Sequence, residues 1–133
     1  MARKIRQAAA LAIRDGKVCM VSSRNRRRWV IPKGLIEKGQ SASDAALAEA
    51  WEEAGLIGHI ENQSLGTFIY TKNNLEHHVT VYAMTVAAER DEWPEGELRK
   101  REWVSVDEAL VRIEEAGLRQ LLQLHVGLVE ASV

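Results

Sequence analysis

Only one cysteine, Cys19, occurs in the 133 residues, so no disulfide can close within the chain. It lies between Val18 and Met20 in an apolar run, where a buried core thiol is expected, and a cytoplasmic setting follows as the expectation. Prolines are almost as scarce: Pro32 and Pro94 are the only two, and each should mark a loop. No tract rich in Pro, Gly or Ser, no low-complexity stretch and no internal repeat interrupts the chain, so residues 1–133 read as one domain. No apolar segment is long enough to span a bilayer. The opening Met1-Ala-Arg-Lys-Ile-Arg6 sets a basic head before the apolar Ala8–Ile13, in outline like a signal peptide. That apolar stretch is short, however, and Arg14-Asp15-Gly16 interrupts it, which suits a strand ending in a turn.

What is present describes a globular protein. A hydrophobic fraction of 46% against 28% charged residues is enough to build a core and argues against disorder. The net charge of −1 conceals an asymmetry: ten of the 18 Lys and Arg residues lie at or before Lys33, together with one acid, Asp15. A basic first quarter facing an acidic remainder suits a site that holds both phosphates and cations.

The hydrophobic period changes along the chain. Arg6–Arg14 and Lys17–Ser22 should form a hairpin around Asp15-Gly16, with Val18, Met20 and Ser22 on one face. A short strand is expected over Arg28–Ile31. Ser41–Ala54 reads as a helix with Ser41 as N-cap, Asp44 three residues on and Gly55 as the stop. Strands follow at Leu56–Glu61, Gly66–Thr71 and His78–Val86, the last two joined at Asn73-Asn74. Asp91–Glu97 is an acidic loop and Arg101–Val104 a strand. Ser105 with Glu108 should cap a helix to about Glu115, Gly117 should break it, and Leu118–Val129 should form a final helical segment. This order predicts an α/β protein, a mixed sheet flanked by helices.

On the helix after Ser41, Glu49, Glu52 and Glu53 are spaced i, i+3 and i+4 and share one face. Leu47, Ala50, Trp51 and Ala54 should pack on the sheet. Three like charges on adjacent turns repel by a few tenths of a kcal/mol per pair, roughly, unless a cation lies between them. Carboxylates without Cys or His nearby favour a hard ion, Mg²⁺ or Mn²⁺. Taken alone, such a cluster is as readily an acidic face turned to solvent. The segment before it, Trp29-Val-Ile-Pro-Lys33 and then Gly34-Leu-Ile-Glu-Lys-Gly39, is a glycine-punctuated loop able to approach a ligand closely.

Loop, helix and closing glycine together resemble the Nudix box, which here would run from Gly34 to Leu56. Gly34, Glu49, Glu52, Glu53, Gly55 and Leu56 match its register, and Ala50 fills an aliphatic slot. Gln40 stands where the family has Glu, and Ala48 where it has Arg. In the family that arginine orients the catalytic carboxylates, and loss of such a charge-assisted bond costs about 1.5–3 kcal/mol. Glu37 offers a replacement carboxylate in the same loop. Ser22-Ser23-Arg24, Arg28-Trp29-Val-Ile-Pro-Lys-Gly34 and Arg99-Lys100-Arg101-Glu102-Trp103 are similar to the diphosphoinositol polyphosphate phosphohydrolase branch. Glu61-Asn62-Gln63 and Ser105-Val-Asp-Glu-Ala109 add to that similarity.

The resemblance implies an α/β/α sandwich and a hydrolase that directs water at phosphorus in a diphosphate linkage with Mg²⁺ or Mn²⁺ bound. It assigns Glu49, Glu52, Glu53 and the Gly34 carbonyl to the metal, with Glu49 and Glu95 as candidates for the general base. Arg24, Arg26, Arg28, Lys33 and Arg101 are the candidate contacts to a polyphosphorylated small molecule through forked or point charges, though some of these cations merely keep a hairpin edge soluble. Trp29 and Trp103 suit either core packing or stacking on a base, and Trp51 the core. His77 and His78, adjacent on a strand, should face opposite ways. Two rival readings stand beside this one. Gln40 and Ala48 motivate a degenerate domain that binds a phosphorylated ligand or RNA end with little turnover. The run Arg24–Arg28 motivates a nucleic-acid binder, the less favoured of the two, whose affinity would fall steeply with salt. No membrane partner is expected, and a homodimer is compatible with a sequence that does not determine oligomeric state.

Overall fold

The structure, a computed structural model, describes residues 3–61 and 63–131; Asn62 of the Glu61-Asn62-Gln63 segment lies outside them. Strand β1 (Lys4–Arg14) is the hub, followed by β2 (Lys17–Ser22), β3 (Trp29–Val30), β4 (Lys33–Leu35) and helix α1 (Ala42–Ala54). Then come β5 (Leu56–Ile60), β6 (Gly66–Lys72), β7 (Leu75–Glu89), β8 (Arg101–Ser105), α2 (Val106–Arg112) and α3 (Ala116–Ala131). Among the described residues all eight strands join one mixed sheet, ordered β3-β2-β1-β7-β5, with β4 on β1, β6 on β7 and β8 on β2.

Strand β1 pairs in parallel with β7, Lys4 opposite Glu76 through Ala12 opposite Met84. Its turn into β2 places Asp15 and Gly16 at φ 53° and 73°, the left-handed pair that a two-residue hairpin requires. Met84 of β7 pairs with both Ala12 and Ile60, and Val81 with both Ala9 and Gly66, so β5 and β6 share the edge of β7 opposite β1.

Two cores lie on the two faces of the sheet. Ala8, Ala10 and Ala12 pack with Ala45, Ala46, Ala50 and Ala54 of α1. Short side chains on both surfaces let the helix backbone lie close to the strands. Alanine is a poor strand former, and pairing on both edges of β1 overrides that preference. The other face holds the larger residues Leu11, Met20, Phe68, Val79 and Val81, covered by Ala109, Ile113, Leu118 and Leu122 of α2 and α3 and the link between them. The result is the α/β/α layering implied above.

Several boundaries differ from those read in the sequence. Strand β4 falls inside the glycine loop, where composition hides it; pairing of Lys33–Leu35 with Gln7–Ala9 creates it. Strand β7 runs to 15 residues because partners on both edges extend it beyond its own apolar pattern. Trp51 is half-buried and belongs to neither core, whereas Trp29 and Trp103 pack against one core each. Helix α2 stops at Ile113, and Gly117 lies inside the first turn of α3. Its missing side chain serves packing: a Cβ there would sit 2.7 Å from Phe68 Cβ.

Gly117→Ala is therefore expected to destabilise the fold by about 1–3 kcal/mol through overpacking, although alanine is the better helix former by about 1 kcal/mol. Urea unfolding measures the difference, and a stabilised variant would contradict the contact.

Candidate active site

Helix α1 starts and stops where its local chemistry directs. Ser41 accepts the Asp44 backbone N–H at 3.1 Å, and Gly55, at φ 69°, donates back to Ala50 and Trp51 carbonyls. The remaining carbonyls of the last turn are met from outside. Glu95 N–H donates to Glu52 O at 2.9 Å, Trp93 Nε1 to Glu53 O at 2.9 Å, and Arg101 Nη1 to Ala54 O at 2.7 Å. The segment between β7 and β8 is thereby docked on the end of the helix that carries the glutamates.

The three helix carboxylates do not share one environment. Glu52 is exposed, Glu49 half-buried and Glu53 only 6% exposed, turned inward beside Ala50 and Ala54. Glu53 accepts the Lys33 N–H and Arg99 Nη2, each at 3.3 Å, and is hydrogen-bonded to Glu49. Burial is the main reason its carboxyl titrates above the ordinary range, with Arg99 pulling the other way. Glu49 is pushed up to about 8 by burial first, then by the charges of Glu53 and Glu52 and its hydrogen bond to Glu53. Burial thus raises both carboxyls, which titrate as a pair. Glu95 joins the group from the loop: its Oε1 accepts Arg99 Nε at 3.0 Å and lies 3.7 Å from Arg24 Nε.

Gly34 of β4 lies directly against the Glu49 carboxylate, and a Cβ at that position would collide with it. The close approach brings backbone to the acidic cluster, as the loop glycine implied. Among the described residues no three His, Cys, Asp or Glu side chains form a ready-made metal cage. The donor chemistry nonetheless fits a hard divalent cation: an all-oxygen set whose mutual repulsion a cation would relieve.

Beside this cluster opens a cleft of about 370 Å³ lined by Arg24, Arg28, Lys33, Lys72, Arg99, Glu53 and the Ser23–Asn25 turn. Five cations around one carboxylate leave the cleft cationic. Burial, with Arg28 and Lys72 nearby, holds the Lys33 ammonium below its usual range, and its Nζ lies 5.5 Å from the Tyr70 ring centroid. Arg28 lines the cleft but also grips Glu114 and, at 2.8 Å, Glu115. Arg24 is largely open to solvent.

The remaining candidates are placed elsewhere. Arg26, at φ 59°, points to the Glu97 carbonyl at 3.0 Å and does not line the cleft. Arg101 is used behind the helix end: it bonds Ala54 O, Arg90 O and Glu89 and stacks 4.4 Å over Trp93. Arg101, a candidate phosphate contact, thus caps the helix and does not line the cleft, because β8 runs beside β2 and brings it to Gly55. Gln40 closes its loop, accepting Glu37 N–H at 3.0 Å, while the Glu37 side chain is exposed. His77 stacks on Tyr70 and His78 bonds Glu76, on opposite faces as alternation requires. Lys72 and Arg99 were not among the expected site residues. Lys72 precedes an ordinary turn, and Arg99 lay within a motif similar to a known branch without a role of its own.

Residues 4–124 match the family model described as NUDIX domain. The chain belongs to the NUDIX family. It is 35% identical over 114 residues to Nudix hydrolase 4 of Arabidopsis thaliana, covering 84% of this chain and 55% of that protein. It is 33% identical over 111 residues to diphosphoinositol polyphosphate phosphohydrolase 3-beta of Homo sapiens, covering 79% of this chain and 66% of the human one. The chain thus spans only a little over half the length of the first of these relatives. A solved Ap4A hydrolase of C. elegans has the same fold, with a TM-score of 0.80 at 18% identity over 96% of this chain and 98% of that one.

The pH behaviour of the NUDIX cluster can be measured without substrate. Between the ordinary value of 4.5 and about 8 the native Glu49 binds its proton more tightly than the unfolded chain does. Stability of the cation-free protein is then lost as pH rises through that window. Glu49→Gln should remove this loss, so its melting temperature in EDTA should gain on the parent between pH 5 and pH 8.5. A pH-independent gap would contradict the raised Glu49 carboxyl.

Proposed function

We propose that this NUDIX domain is a divalent-cation-dependent hydrolase that cleaves a diphosphate linkage in a polyphosphorylated small molecule by directing water at phosphorus. The observation that carries the reading is the meeting of Glu49, Glu53 and Glu95 with a cleft lined by Arg24, Arg28, Lys33 and Lys72. A purely acidic surface face would not bury Glu53 or place it at the mouth of a cationic cleft.

In this reading Glu49, Glu52 and Glu53, with the Gly34 carbonyl, hold Mg²⁺ or Mn²⁺. Such a cation neutralises charge on the transferring group and makes water more acidic. Lys33 and Lys72 receive phosphate oxygens as point charges, and Arg24 offers a forked pair of donors from the solvent side. Glu49 and Glu95 are the candidates for taking a proton from the attacking water. The human relative's name speaks of diphosphoinositol polyphosphates and the structural neighbour's of Ap4A. Both are dense anions joined through phosphoanhydrides, and we propose that class for this chain. A second reading, ligand binding with little turnover, is favoured by Gln40 and Ala48.

The test is release of phosphate or nucleotide from a panel of diphosphoinositol polyphosphates and dinucleoside polyphosphates with Mg²⁺, comparing the parent with Glu53→Gln. The variant is expected to lose about 100-fold or more in rate, at least the scale seen when a residue supporting a metal ligand is removed. Equal rates would end the assignment of Glu53. Tight binding of the same compounds by the parent, with no product, would establish the second reading.

A further inference from the structure

Arg99 lines the cleft, yet it is among the most enclosed charges in the molecule, 8% exposed. Each of its nitrogens has a partner. Nε donates to Glu95 Oε1 at 3.0 Å, Nη1 to the Ser22 carbonyl at 3.1 Å and Nη2 to Glu53 Oε2 at 3.3 Å. Three of its five N–H donors are thereby committed to protein acceptors, two of which are carboxylates. Arg24 and Lys72, exposed on the same cleft, are of a different kind.

The base of Arg99 is equally well held. Ser22 and Lys100 exchange two bonds, Ser22 N–H to Lys100 O at 2.9 Å and Lys100 N–H to Ser22 Oγ at 2.8 Å. The Arg99 N–H closes a turn on Glu95 O at 3.0 Å. One rigid fork therefore spans three elements: the end of β2, the last turn of α1 and the β7–β8 segment. Position 48 of the helix, an alanine here, supplies no cation of its own.

We propose that Arg99 is the positioning residue of this site, setting the separation and orientation of the Glu53 and Glu95 carboxylates by bonding each through a different nitrogen. It acts on the cation and the substrate only through those two groups. The proposal rests on the cation-binding reading above. Lysine at this position keeps the charge but is a single flexible point donor, unable to hold both carboxylates and the Ser22 carbonyl in one plane.

The experiment compares the parent with Arg99→Lys by calorimetric titration of Mn²⁺ without substrate, and by kcat and KM on the best compound of the panel. Arg99→Lys is expected to weaken Mn²⁺ binding by about 10- to 100-fold and to lower kcat similarly, the scale of lost support around metal ligands, with KM within about twofold. Combining it with Glu95→Gln should cost less than the product of the two single losses, since both act through one carboxylate. Parental Mn²⁺ affinity in a folded Arg99→Lys protein would overturn the proposal, as would a loss confined to KM, which would make Arg99 a substrate contact. If the lysine variant does not fold, Arg99→Gln takes its place in the same titration, and parental Mn²⁺ affinity in that folded variant would equally overturn the proposal. Because Mn²⁺ binding is read without substrate, a parent that hydrolyses nothing still tests Arg99 while failing the activity assignment.

Discussion

The last turn of α1 ends in carbonyl groups that no helix can satisfy from within. Here Glu52, Glu53 and Ala54 carbonyls are met by the Glu95 N–H and the Trp93 indole from the segment that joins β7 to β8, and by the Arg101 guanidinium from the start of β8. That backbone requirement places the chemistry. A loop that must dock on the helix end brings Glu95 and Arg99 to the side chains of the same turn, whatever their catalytic use. It also sets positive charge against the negative end of the helix dipole.

The electrostatic consequence is a concentration of opposites. Burying Glu53 beside Glu49 and Glu95 is unfavourable, and the molecule answers it with Arg99 and the Lys33 N–H. Buried ion pairs of this kind contribute little net stability, since desolvation offsets much of the attraction. Their presence is better explained by what they arrange than by what they stabilise. A few ångströms away the cleft is cationic, so a hard metal ion and a phosphate chain would find complementary charge in adjoining places.

Much of the fold was legible in local pattern. The Asp15-Gly16 and Asn73-Asn74 turns, the Ser41 and Ser105 caps and the Gly55 stop follow from side-chain and backbone geometry within four residues. Elements made by distant pairing were not legible: β4 exists through Gln7–Ala9, and β7 reaches its length through neighbours on both edges. Gly117 misled for a related reason, since its absent side chain answers to Phe68, far away in sequence.

The site divides along the same line. By itself the sequence determined the spacing of Glu49, Glu52 and Glu53, the glycine entrance at Gly34 and the kinship of the box, because helical periodicity and turn chemistry are local properties. Only the tertiary structure decided that Glu53 is buried while Glu52 is exposed, that Arg101 caps a helix instead of lining the cleft, and that Lys72 and Arg99 converge on it. The direction in which a side chain points is set by the partners its neighbours must bury or satisfy. Those partners lie 46 positions apart in the Arg99–Glu53 pair and 77 in the Arg99–Ser22 pair, beyond the reach of any local pattern.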